Sequence, residues 1–108
     1  MKRKTIYIAG KITGDQTYVE KFNSIEKTFT RHKVKNPVKF RPFLGFENWY
    51  AYMIVCLWAI LFVDYVLFIW DWQESRGAKI ERQWARLLGK ECYEINEQGY
   101  FKQIAGGS

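Results

Sequence analysis

At 108 residues, 48% of them hydrophobic and 19% aromatic, the chain holds enough apolar material for one packed domain over 1–108 and is too short for two. Its net charge of +6 points either to anionic partners or to a solvated basic surface. The basic residues are scattered and show no repeat with aromatic residues, so nucleic acid is not the expected partner.

Thr5-Ile6-Tyr7-Ile8-Ala9 reads as a short strand that opens into the loop Gly10-Lys11-Ile12-Thr13-Gly14. Tyr18, Phe22, Ile25 and Phe29 then recur at helical intervals, with Asp15 or Thr17 available as cap. Val34 to Val38 is a second strand interrupted by Asn36-Pro37, and Phe40 to Phe46 is a loop. A helix from about Glu47 to Phe62 leads to the strand Val63–Ile69 and the loop Trp70–Glu74. The next helix runs from Ser75 to Leu88, with Ile80, Trp84, Leu87 and Leu88 as its inner face and Gly89 as its stop. Glu91–Ile95 is a fourth strand, and the tail 96–108 is expected to be partly disordered.

One stretch imitates a transmembrane segment: between Trp49 and Trp70 only Asp64 is charged. Its character changes midway from helical spacing to a β-branched and aromatic run, and Asp64 would be stranded in hydrocarbon. The segment is therefore read as the core of a soluble domain. Cys56 and Cys92 lie in apolar stretches without metal-ligand spacing, so free buried thiols and no zinc site are expected. The first strand begins almost at the N-terminus with no signal peptide before it, and a cytoplasmic location fits.

Alternating strands and helices predict an α/β fold. The expected form is a three-layer, flavodoxin- or Rossmann-like parallel sheet of four to five strands with helices on both faces. Ligands in such folds bind beyond the carboxyl ends of the strands, which selects the loops 10–14 and 70–77. The first offers glycines and backbone N–H groups for a phosphate or sugar oxygen, or is a plain turn. In the second, Ser75 can cap a helix whose N-terminus would attract an anion, with Gly77 and Ala78 leaving room and Arg76 or Lys79 adding charge. Glu81, further along that helix, is either a nucleophile or base turned toward the pocket, or a solvated residue paired with Lys79 or Arg82. Asp64 suits a hydrogen-bonding role at the strand start. His32 is the lone histidine and no Ser or Cys stands against it, so a hydrolase triad is not expected.

Taken together, Ile6 to Gly14, Asn36-Pro37, Tyr52-Met53, Leu57, Asp64, Trp72-x-x-Ser75-x-Gly77-Ala78-x-x-Glu81, Ala85 and Gly89 form a pattern. It resembles the nucleoside 2-deoxyribosyltransferase-like superfamily, in its branch of small bacterial and phage proteins, across residues 4–95. The resemblance implies cleavage of the N-glycosidic bond of a deoxynucleoside or its 5′-monophosphate, with Glu81 as nucleophile and Asp64 in the catalytic set. Ser75 would bind the 5′-phosphate, and Tyr7, Gly10, Ile12, Trp72, Gly77 and Ala78 would line the substrate. No cofactor or metal is implied. A homodimer or larger assembly is, with the aromatic helix 47–62 as its interface.

The pattern departs from the family at one place: the Asp expected eight residues before Asp64 is Cys56. Three functions follow for comparison: a glycosidase or transferase, a nucleotide-binding module that kept the pocket without the chemistry, and a basic nucleic-acid-associated protein.

Overall fold

The computed structural model describes residues 4–12, 16–39 and 49–104. Strands β1 (Thr5–Ala9), β2 (Lys33–Lys35), β3 (Tyr65–Ile69), β4 (Glu91–Ile95) and β5 (Phe101–Gln103) form one sheet in the order β2-β1-β3-β4-β5. The first four are mutually parallel and β5 is antiparallel to β4. This is the strand order of the flavodoxin-like doubly wound fold, with an antiparallel edge. Helices α1 (Tyr18–Thr28), α2 (Trp49–Ile60) and α3 (Arg76–Leu87) cover both faces.

Strand alternation sorts the core into two layers. Ile6, Ile8, Leu67, Ile69 and Ile95 meet Phe22 and Ile25 of α1. On the other face Tyr7, Ala9, Val66, Phe68 and Cys92 meet Cys56 and Ile60 of α2 and Ala78 and Ala85 of α3. The segment 49–70 is thus divided between a helix and a strand, and no helix among the described residues is long and apolar enough to cross a membrane.

Several expected boundaries move. The second strand ends at Lys35 and gives way to a 3-10 turn over Pro37–Lys39. Buried Asn36 organises that change: its amide donates to Asn23 Oδ1 (2.9 Å) and Glu26 Oε1 (3.0 Å), and its carbonyl accepts from Val38 N (3.1 Å). Thr17 holds the N-cap position of α1 without a side-chain cap bond, while Asp15 lies outside the described residues.

The tail is more ordered than expected up to Ile104. Asn96 Oδ1 accepts from Gln98 N and Tyr100 N, Gly99 takes φ +93°, and β5 pairs back on β4. Helix α3 closes as anticipated at Gly89 (φ +72°), where Gly89 N bonds Arg86 O and Lys90 N bonds Ala85 O, the paired bonds of a Schellman end. The Lys90 ammonium also reaches across to the last carbonyls of the α2 segment, Leu61 O (3.0 Å) and Val63 O (2.9 Å).

At the carboxyl end of β1, Gly10 packs directly on Ile69. A Cβ there would stand 3.0 Å from Ile69 Cβ and Cδ1, inside van der Waals contact. Gly10→Ala is therefore expected to destabilise the fold by about 1–3 kcal/mol, as overpacking does. Urea denaturation beside the wild type measures it.

Candidate active site

Helix α3 does not present the face its large residues suggest. Its buried positions are Ala78, Glu81 and Ala85, whereas Leu87 is exposed and Ile80, Trp84 and Leu88 are half-buried. The alanines allow the helix backbone to approach the sheet closely. The larger residues then pack to the side, where Trp84 Nε1 donates to Leu57 O of α2 at 2.9 Å. Glu81 consequently occupies the centre of an apolar stripe, 5% exposed.

A carboxyl in that position needs a partner. Tyr7, fully buried in the middle of β1, supplies it by donating its hydroxyl to Glu81 Oε2. Cys56 of α2 is in hydrogen-bonding contact with the same hydroxyl, so one residue from each of three elements meets at one point. Burial strips water from the ionised carboxylate and pushes Glu81 up to about 8; the Tyr7 bond acts in the opposite direction and is the weaker influence. Burial, Glu81 and Cys56 all raise Tyr7 well above its ordinary value, which keeps it a donor.

Above Glu81 lies the carboxyl edge of the sheet, where the loops after β1 and β3 are tied together. Asp71 accepts from Lys11 N (3.1 Å) and from the Lys21 ammonium, which also donates to Lys11 O (3.0 Å). A more exposed pair, Lys11 with Glu74 at 3.2 Å, adds to the clamp. Removing one member of a buried ion pair such as Lys21–Asp71 typically costs about 3–5 kcal/mol.

Ser75 takes an extended conformation at the N-cap of α3 and its Oγ accepts from Ala78 N at 3.1 Å. The hydroxyl and the helix N-terminus face this edge, a setting that favours an anion. Gly77 faces Met53 of α2, whose sulfur would lie 3.1 Å from an added Cβ. Trp72 is buried against Phe68 with ring centroids 5.0 Å apart, and its Nε1 finds no acceptor among the described residues.

The family model described as "Domain of unknown function (DUF4406)" matches residues 4–94, nearly the whole of this fold. The chain belongs to that family. Among curated proteins no match is found.

Within this DUF4406 domain the sequence-predicted residues separate into groups. Glu81, Tyr7, Ser75, Gly77, Ala78 and Trp72 lie on the α2–α3 face or at its carboxyl edge. Tyr7 holds the carboxyl from beneath rather than facing open space. Ile12 packs with the α1 layer, on the other face, and Gly10 serves close packing. Thr13 and Gly14 lie outside the described residues.

Asp64 is not brought to Glu81. It is exposed at the amino edge, where its Oδ2 accepts from Thr5 N (2.9 Å) and its own N–H bonds Thr5 O (2.9 Å). The residue immediately preceding a parallel strand necessarily lies at the edge opposite the ligand crevice. That position corrects the expectation that Asp64 belongs to a catalytic set.

Two residues of the site went unread in the sequence, Lys21 and Asp71. A signal existed for Lys21, a charged residue at the helical spacing of Tyr18 and Ile25. Asp71 carried none beyond its place after a buried strand.

Glu81 also makes stability depend on pH. Below about pH 4.5 the carboxyl is protonated in folded and unfolded chains alike; between there and about 8 only the unfolded chain releases its proton. Stability therefore falls as pH rises through that interval, by roughly 3 kcal/mol between pH 5 and 7.5 from this group. Glu81→Gln, which still accepts from Tyr7, should abolish that fall. Denaturant titrations of both proteins at the two pH values provide the comparison.

Proposed function

We propose that the protein cleaves the N-glycosidic bond of a deoxynucleoside, or of its 5′-monophosphate, through Glu81, as its resemblance to nucleoside 2-deoxyribosyltransferases implies. The observation that carries this reading is the carboxyl of Glu81 held by Tyr7 in an apolar setting beneath the N-terminus of α3. Attack by the ionised carboxylate on the anomeric carbon would expel the base and leave a glycosyl ester on Glu81. Water, or a second base, would then displace the sugar and free the carboxylate. The departing base takes up one proton from solvent, and the water that resolves the ester returns one as its hydroxyl joins the sugar.

Tyr7 is a positioning residue: its hydrogen bond fixes one carboxyl oxygen and favours the ionised form. Ser75, with one lone pair committed to Ala78 N, retains a hydroxyl proton for a phosphate oxygen, and the helix dipole adds to the attraction. The unpaired indole N–H of Trp72 is a donor suited to a polar atom of the ligand. These features favour the monophosphate over the unphosphorylated nucleoside.

A second reading, a nucleotide-binding module without turnover, is favoured by two observations. Glu81 is held protonated at neutral pH, and the position where active relatives would carry an Asp is buried Cys56, a poor proton carrier beside the leaving base.

Incubation with each of the four deoxynucleoside 5′-monophosphates, followed by chromatography for free base, tests the two readings. The glycosidase reading expects release that drops at least a thousandfold in Glu81→Ala. It also expects kcat/KM to rise about tenfold per pH unit below about 8, where the free protein ionises Glu81. Tyr7→Phe, which removes the bond that lowers the carboxyl's pKa, should move that limb to higher pH. Nucleotide binding without release at any pH would select the binding module.

A further inference from the structure

The two faces of the sheet are covered unequally. Helices α2 and α3 share one face, whereas among the described residues α1 alone packs on the other. Beside the end of α1 part of that second face stays open, and a cavity of about 220 Å³ lies there. Buried Ile6 and Leu67 are among its lining residues. Four aromatic rings stand around it: Phe29 from the end of α1, Tyr65 from β3, Tyr93 from β4 and Phe101 from β5. Strand alternation puts Tyr65, Leu67 and Tyr93 on this face, and pairing with Ile95 puts Phe101 there as well. Phe101 remains 51% exposed. An open cluster of rings marks a binding surface rather than a core.

We propose that this cavity is an aromatic cage for a small organic cation bearing a trimethylammonium group. The inclination of the rings favours a rounded guest. Tyr65 and Tyr93 meet edge to face, with centroids 5.7 Å apart and 74° between their planes. Phe29 is tilted 40° from Phe101 and 52° from His32. A flat ligand is held by stacking between parallel rings, and none of these pairs is parallel. Inclined rings can surround a rounded group from several sides, and their faces carry the negative part of the aromatic quadrupole. Size agrees. A cavity of roughly 150 Å³ already admits benzene, so the larger space here accommodates a trimethylammonium head and the start of its substituent.

Charge selects a cation over a neutral or anionic guest. No Lys or Arg lines the cavity, and Lys27 in the last turn of α1 is exposed outside it. His32 lines it as the neutral ring, because its Nδ1 accepts from Lys4 N at 3.4 Å, which an imidazolium could not do. Glu91 pairs in register with Tyr65 and precedes Tyr93 by two residues, so it projects from the same face. Burial, then the Glu91 carboxylate and Tyr65, raise Tyr93 above its ordinary value. Phe29 is the C-cap of α1, which brings the negative end of that helix dipole to the cage. Glu91 and the helix end thus gather negative potential at one place on a chain whose overall charge is +6.

Glu81 lies on the other face of the sheet, beneath α3. The cage therefore does not depend on the glycosidase reading, and its test reads binding rather than turnover.

Choline and neohexyl alcohol, in which carbon replaces the choline nitrogen, share a shape and differ in charge. Each is titrated into isotope-labelled protein and followed by two-dimensional amide NMR, with sodium chloride holding ionic strength constant. Choline should give saturable shifts at Leu67, Tyr93 and Phe101, with a dissociation constant about fivefold or more below that of the alcohol. Glu91→Gln should weaken choline about threefold and leave the alcohol unchanged. Phe101→Leu should weaken choline about fivefold or more. Should that variant disturb β5 in its amide spectrum, Tyr65→Leu replaces it with the same expectation. The absence of saturable shifts at about 50 mM choline would overturn the proposal. Equal or tighter binding of the alcohol would do the same, as would choline affinity indifferent to both substitutions.

Discussion

The structure turns on one hydrogen bond, from the Tyr7 hydroxyl in the middle of β1 to the Glu81 carboxyl in the middle of α3. Both groups sit in a layer otherwise built from apolar side chains, so each satisfies the other where water is excluded. Ala78 and Ala85, one turn to either side of Glu81, let the helix lie close enough for the bond to form. The same burial that makes the partner necessary holds the carboxyl neutral at physiological pH. Position and protonation state of the Glu81 carboxyl are therefore consequences of a single packing arrangement.

The rest of the molecule arranges stiffness around that point. At the amino edge Asp64 and Thr5 exchange two bonds that join β3 to β1. At the carboxyl edge Asp71, Lys21 and Lys11 bind the two crevice loops to each other and to α1. Ser75 fixes the first turn of α3 just above. The strands thus run between a tied amino edge and a clamped carboxyl edge, and the anion-attracting helix end lies on the clamped one.

Several residues that stand out in the sequence proved to be architectural for definite reasons. Asn36-Pro37 ends a strand because the Asn36 amide bridges α1 and the following turn, while Tyr52 hydrogen-bonds the Pro37 carbonyl from α2. Gly10 is required by Ile69 rather than by an unusual backbone angle. A spacing motif marks where the chain must take one conformation; whether a ligand or a neighbouring side chain imposes it depends on the other elements packed there.

The order of the first four strands and the three helices, the Ser75 cap and the Gly89 stop were legible in the sequence, because each rests on local periodicity or on one residue's backbone and capping chemistry; β5, in the tail expected to be partly disordered, was not. Local rules also gave the apolar character of α2 but not which residues face out. The inner face of α3 was legible in part: Trp84 and Leu88 pack against the core as expected, but Leu87 is exposed, and close helix–sheet packing buries Ala78, Glu81 and Ala85 instead. The partnership of Tyr7 with Glu81, 74 residues apart, and of Lys21 with Asp71, 50 apart, arises only when the parallel strands are laid side by side. So does the exclusion of Asp64 from the site. Sequence alone determined which residues could carry a charge or a proton; the tertiary fold decided which lost their water, and burial is what sets their chemistry.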